Sequence, residues 1–171
     1  MSTLQTAQGA AAAPFDRAGF IEAFGFSFRN GAALAGRAFD GAAVPLTDAQ
    51  SVFDVLRNAF RAAGDAERLD MLKAYTPLDP GVKRAQIVEN EAQSDGLRAM
   101  TTRQQARLLE LLARYVEKFG FDAIFVVRNY TTASLLASLE VRILDSYETE
   151  LATTYREVET LAEIHVRSRF S

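Results

Sequence analysis

From Phe15 onward, apolar residues recur at helical spacing almost throughout the chain, and glycine and proline punctuate the pattern. The pattern predicts a short helix from Asp16 to Phe24, ended by Gly25, and a second from about Ser27 to Phe39, interrupted by Gly41 to Pro45. Thr47 and Gln50 stand at capping-box spacing ahead of Phe53, Leu56 and Phe60, on a helix that Gly64 closes. Asp65 is placed to cap the next helix, which carries Leu69 and Leu72 as far as Tyr75, and Pro77 and Pro80 make Thr76 to Gly81 a loop. A further helix is expected from about Val82 to Asp95, stopped by Gly96. Thr101 and Thr102 each have a glutamine three residues on, and Leu108, Leu112, Tyr115 and Phe119 then share one face until Gly120.

The run Ala123 to Val127 departs from helical spacing. All five residues are apolar and three are β-branched, which predicts a short, buried, extended segment. With no partner strand in the chain, its backbone N–H and C=O groups must find partners elsewhere. Thr131 or Thr132 opens a helix through Leu144, and the last helix runs from about Tyr147 to Arg167. In that helix Leu151, Tyr155, Val158, Leu161 and His165 form the expected buried stripe. Glu148, Glu150, Glu157, Glu159 and Glu163, with Arg156 and Arg167, form the expected solvated face. The sum is an all-α, single-domain helical bundle of about eight helices with one short extended segment. It covers residues 15–171 behind a flexible tail of residues 1–14.

Composition narrows the chemistry. A length of 171 residues, with 49% hydrophobic and 24% charged positions, suits one globular domain with a real core. The net charge of −3 lacks the basic surplus that phosphate backbones demand, so nucleic acid is not expected as a partner. No apolar run is long enough to cross a membrane, and Met1 to Pro14 has neither a basic n-region nor a large apolar core, which points to a cytoplasmic protein. The absence of cysteine excludes disulfides and thiolate chemistry, and the single histidine, His165, excludes a His–His metal pair. No metal site is expected.

Several blocks carry a family resemblance through their order and spacing. The longest reads LLELLARYVEKFGFDAIFVVRNYTTASLLASLE, from Leu108 to Glu140. Others are FIEAFG at Phe20 to Gly25, the LKA before Tyr75, E-x-x-x-x-G-L from Glu91 to Leu97, and ELATTYREVETLAEI from Glu150 to Ile164. Together, from Phe15 to Arg167, they resemble the OHCU decarboxylase family, which acts on 2-oxo-4-hydroxy-4-carboxy-5-ureidoimidazoline (OHCU) in the conversion of urate to (S)-allantoin. Where that family has a His-Pro-Asp-Leu motif, this chain has Tyr75, Thr76, Pro77 and Leu78, so the family's acid/base histidine is a tyrosine. Its Ser-Pro-Trp looks like Gly31, Ala32 and Ala33, and its substrate-pairing arginine falls on His165, while its glutamate is kept as Glu91.

The resemblance implies a decarboxylase that needs neither metal nor organic cofactor, with Tyr75, Glu91 and His165 as the catalytic set. Thr76 and the backbone of Ala123, Ile124, Phe125, Val126 and Val127 would hold the substrate. The implied partner is a small-molecule ureide or similar anionic ligand, and the family makes a homodimer an expectation. Each residue also has a plainer reading. Tyr75 suits the edge of a core, which general usage of tyrosine favours. His165 suits a core position with satisfied nitrogens, Glu91 a solvated face beside Glu89, and Arg128, which could pair with a ligand carboxylate, a structural role capping the extended segment by packing its stem. The alternative function is a catalytically inactive family member that binds a small molecule or a protein.

Overall fold

The computed structural model describes residues 15–78 and 100–171. The predicted tail of residues 1–14, the predicted helix of residues 82–95 and Glu91 lie outside the described residues. Among the described residues there are seven α-helices and no strand. They are α1 (Arg17–Phe24), α2 (Ala32–Asp40), α3 (Ala49–Ala62), α4 (Asp65–Lys73), α5 (Thr102–Phe119), α6 (Thr132–Leu144) and α7 (Tyr147–Ser168). Helix α1 packs on α2, α2 on α3, α5 on α6, and α3 on α7. No described helix is long and apolar enough to cross a membrane.

The caps explain most of the boundaries. Asp16 accepts from the Gly19 N–H to open α1. Thr101 and Gln104 form a reciprocal capping box at α5, and Gly120 ends that helix at φ 77°, a left-handed conformation that favours glycine. Thr131 and Ser134 do the same at the start of α6. Two caps differ from expectation. Asp48, not Thr47, caps α3, because its carboxylate accepts from both the Gln50 and Ser51 N–H groups at 2.9 Å, and the Gln50 side chain turns instead to Asp54. Helix α4 is entered through Gly64, with Asp65 in its first turn paired to Arg68.

Helix α2 begins at Ala32 rather than near Ser27. The intervening residues form successive turns, with Ser27 N–H bonded to the Phe24 carbonyl and Gly31 N–H to the Phe28 carbonyl. Phe24 and Phe28 stand four apart and are both buried, a spacing that turns of this kind share with a helix.

The predicted apolar segment is buried and not α-helical, but it is not extended to its end: Val126 stands at φ −76°, ψ 79°, and Val127 already belongs to a 3₁₀ turn. Residues 123–127 are all buried, and a 3₁₀ turn, Val127–Asn129, leads out of it. Aromatic rings tie the body together: Phe28 stacks on Phe60 at 4.5 Å between ring centres, and Tyr155 of α7 meets Phe60 edge-on. On α5 the buried face is Leu108, Leu111, Tyr115 and Phe119, with Leu112 half-buried beside it.

The last helix corrects the predicted stripe. Its buried line is Glu150, Thr154, Val158, Ala162 and Val166, each four residues after the last, and Leu151, Tyr155, Leu161 and His165 flank it half-buried. Four glutamates of the predicted solvated face are therefore withdrawn from solvent, Glu159 and Glu163 half-buried in ion pairs with Arg61 and Arg167. Glu150 is fully buried and Glu157 is half-buried, because polar groups inside the bundle receive both of them.

Candidate functional site

The turn joining α1 to α2, residues 25–31, meets two of the described candidates, Tyr75 and His165. Its backbone is folded tightly on itself: a Cβ built on Gly31 would stand 2.5 Å from the Phe28 carbonyl oxygen and 3.0 Å from that of Gly25. Asn30 sits at φ 54°, in the left-handed region that asparagine tolerates better than most residues. This fold turns Ser27 inward, with its Oγ 3.2 Å from His165 Nδ1. Two residues on, the Arg29 guanidinium lies over the Tyr75 ring, 5.8 Å from its centre. Tyr75 and His165 thus meet the same short turn from distant parts of the sequence.

Tyr75 itself is half-buried, but its hydroxyl is fully withdrawn from solvent and makes no well-formed hydrogen bond among the described residues, the Arg29 backbone N–H being the group that approaches it. Burial pushes its pKa up to about 12, against the weaker opposing pull of Arg29. The phenol is therefore protonated at every ordinary pH and available as a proton donor. Thr76 beside it is exposed, and Leu78 closes the segment as a core residue.

The apolar segment 123–127 is pinned from two helices. Glu157 of α7 accepts from the Val126 N–H at 2.7 Å and from the Tyr130 hydroxyl at 2.9 Å. Arg142 of α6 donates from Nη1 to the Ile124 carbonyl at 2.9 Å and lies over the Phe125 ring at 4.3 Å. Arg142 is itself buried and ion-paired to Glu150, whose Oε1 also accepts from the Tyr115 hydroxyl and from Thr154. Burial disfavours the Arg142 charge, but the bond and charge of Glu150 outweigh it and hold its pKa above the usual value. Burial first, and then the bond to Glu150, raises the pKa of Tyr115. The second oxygen of Glu150 is buried with no partner among the described residues.

Of the predicted site residues, the structure brings Tyr75 and His165 to one turn, leaves Thr76 on the surface, and buries all of 123–127. Arg128 is exposed in the 3₁₀ turn, where it lines an open cleft with Thr160, Ile164 and Arg167. Ser27, Arg29, Arg142, Glu150 and Glu157 were not singled out from the sequence as site or supporting residues. The signal for the last three was present, since an isolated extended segment must bond to something. Among the described residues, no cluster of three or more acidic or histidine side chains could hold a metal ion.

Known proteins match in both sequence and fold. The OHCU decarboxylase family model matches residues 14–167. The 2-oxo-4-hydroxy-4-carboxy-5-ureidoimidazoline decarboxylase of Haloferax volcanii is 27% identical over 152 residues, covering 89% of each chain. A uric acid degradation bifunctional protein of Bacillus sp. is 25% identical over 151 residues, which make up 88% of this chain and 30% of that longer one. Among solved structures, (S)-allantoin synthase superposes with a TM-score of 0.74 at 19% identity, covering 91% of this chain and 51% of that chain. A crystal structure of OHCU decarboxylase in the presence of (S)-allantoin gives a TM-score of 0.68 at 17% identity, covering 86% of this chain and 96% of that one. Those two likenesses establish the shared fold. With a family model running from Pro14 to Arg167 over that fold, the chain belongs to the OHCU decarboxylase family.

Proposed function

We propose that the protein decarboxylates OHCU or a closely related ureide, without metal or organic cofactor, at a site built around the α1–α2 turn. The observation that carries this reading is the convergence of Tyr75 and His165 on that one turn, in a chain of this family. Breaking the bond to the carboxylate releases CO₂ and leaves its electron pair on the ring carbon, delocalised into the neighbouring imine or carbonyl. Tyr75 then gives its proton to the adjacent ureido-bearing carbon, the hydroxyl on the carbon that lost CO₂ passes its proton to the ring nitrogen and becomes the product carbonyl, and the tyrosinate recovers a proton from water. A phenol with a pKa of about 12 is a slower donor than imidazole, yet it rests fully protonated at neutral pH. His165, oriented by Ser27, faces the polar end of the substrate, and Glu91 and Thr76 bind the ureido N–H groups and the ring oxygens. The backbone N–H groups of 123–127 receive the developing negative charge. Because the Val126 N–H is already given to Glu157, that role falls to its neighbours.

Residues 15–171 form the working domain in this reading, behind a tail of residues 1–14. A homodimer and a cytoplasmic location complete it, to be tested by light scattering and by cell fractionation. The rival reading, an inactive member that binds a small molecule or protein, is favoured by one observation: the family's acid/base histidine is replaced by a weakly acidic phenol.

The deciding experiment generates OHCU in situ from urate with urate oxidase and hydroxyisourate hydrolase, and follows (S)-allantoin by circular dichroism. A stereospecific rate above the spontaneous racemic background, lowered in Tyr75→Phe and His165→Ala, supports decarboxylation. A flat trace from folded protein overturns it in favour of the binding reading. The double substitution Tyr75→His/His165→Arg is expected to raise the rate if the scaffold still positions substrate.

A further inference from the structure

The α1–α2 turn carries a cation that the proposed chemistry has not yet used. Arg29 is half-buried, yet its guanidinium has no carboxylate partner among the described residues. Arg57, Arg68, Arg107 and Arg142, the other described arginines withdrawn from solvent, are each paired with at least one carboxylate. A guanidinium over an aromatic ring gains a cation–π contact that leaves its N–H donors open to an anionic ligand. Arg29 is held in such a position, over Tyr75 and two residues from the serine that binds His165. The planar fork of arginine matches a carboxylate bidentately, which an imidazole at position 165 cannot do.

We propose that Arg29 binds the substrate carboxylate, and so selects acidic ureides over neutral ones at the site formed by Tyr75 and His165. The choice of a ureide rests on the decarboxylase reading. An anchor at Arg29 holds the carboxylate so that the neighbouring ureido-bearing carbon lies within reach of the buried Tyr75 hydroxyl, the group that must protonate it once CO₂ has left. Its contribution lies in binding and placement, so its loss raises KM more than it lowers kcat.

The test titrates wild type, Arg29→Gln and Arg29→Lys calorimetrically with two unreactive ureides, allantoate, which carries a carboxylate, and (S)-allantoin, which does not. Arg29→Gln is expected to weaken allantoate binding about tenfold or more, and Arg29→Lys to recover part of that loss. Binding of (S)-allantoin should stay within about twofold in all three proteins, which also reports an intact turn. Three outcomes overturn the assignment: allantoate affinity unchanged in Arg29→Gln, both ligands weakened equally, or no allantoate binding by wild type. The OHCU assay separates this inference from the reading it rests on. Wild type that turns over OHCU while Arg29→Gln keeps the same KM removes the anchor alone. Wild type that is inactive on OHCU but binds allantoate through Arg29 removes the decarboxylase reading alone.

Discussion

Cutting either side of the Arg142–Glu150 pair should cost far more than cutting both. Glu150 is 0% exposed and Arg142 4%, so neither charge can turn to solvent when its partner is removed. In Arg142→Met the Glu150 carboxylate keeps only the Tyr115 and Thr154 hydroxyls, and the Ile124 carbonyl loses its donor. Stranding one member of a buried pair costs about 3–5 kcal/mol. For a chain of this length that lowers Tm by about 6–20 °C, at about 2–4 °C per kcal/mol. Glu150→Leu strands the arginine and should fall in the same range. Arg142→Met/Glu150→Leu removes both charges from the interior together, so the double variant is expected to be more stable than either single one. Urea denaturation followed by far-ultraviolet circular dichroism, on wild type and the three variants, completes a double-mutant cycle. Single variants within about 1 kcal/mol of wild type, or a double variant that merely sums the two losses, would refute the reasoning.

Three further outcomes follow from the same geometry. Glu157→Ala leaves the buried Val126 N–H unpaired and frees the Tyr130 hydroxyl, and should cost about 1–3 kcal/mol in the same urea assay. Gly31→Ser, which restores the family's serine, places a Cβ 2.5 Å from the Phe28 carbonyl oxygen and should destabilise by about 1–3 kcal/mol in thermal melts; a neutral result would mean the turn opens readily. The Tyr75 phenol has a folded pKa of about 12 against an ordinary 10.0, so the folded state holds a proton that the unfolded chain releases. Its contribution to stability is therefore full below pH 10.0 and is lost as pH rises towards about 12. Tyr75→Phe should remove that alkaline slope and delete a late-titrating component from the tyrosinate absorbance near 295 nm, about 12 in pH. At neutral pH it should not destabilise the fold by more than about 1 kcal/mol, since it removes a hydroxyl that makes no well-formed hydrogen bond among the described residues.

What the sequence made legible was whatever follows from apolar spacing and local capping, and what it hid was polar. Thr101 with Gln104 and Gly120 after Phe119 each determine a local structure with little help from the rest of the chain, and both appear as expected; the five apolar residues from position 123 are buried as expected, though the last of them opens a 3₁₀ turn. The start of α2 was hidden because Phe24 and Phe28 keep helical spacing through turns that are not helical. That same misreading concealed Ser27 and Arg29, since neither residue has a distinctive role on a helix and both acquire one only when the turn faces α7 and Tyr75. Glu150 and Glu157 were hidden for a different reason. A charge counted along one helix looks solvated until its partner on another helix is known, and Arg142 lies eight residues from Glu150 across a helix boundary. Yet the segment they support predicted their existence. An extended stretch buried among helices exposes N–H and C=O groups that no sheet will satisfy, so some flanking side chains must be polar and turned inward. Glu157 bonds the Val126 N–H and Arg142 bonds the Ile124 carbonyl, and Glu150 is buried because Arg142 is. The buried charges are thus a consequence of the AIFVV run itself, and the backbone proposed to receive the negative charge of the reaction is held in place by the three residues that the run required.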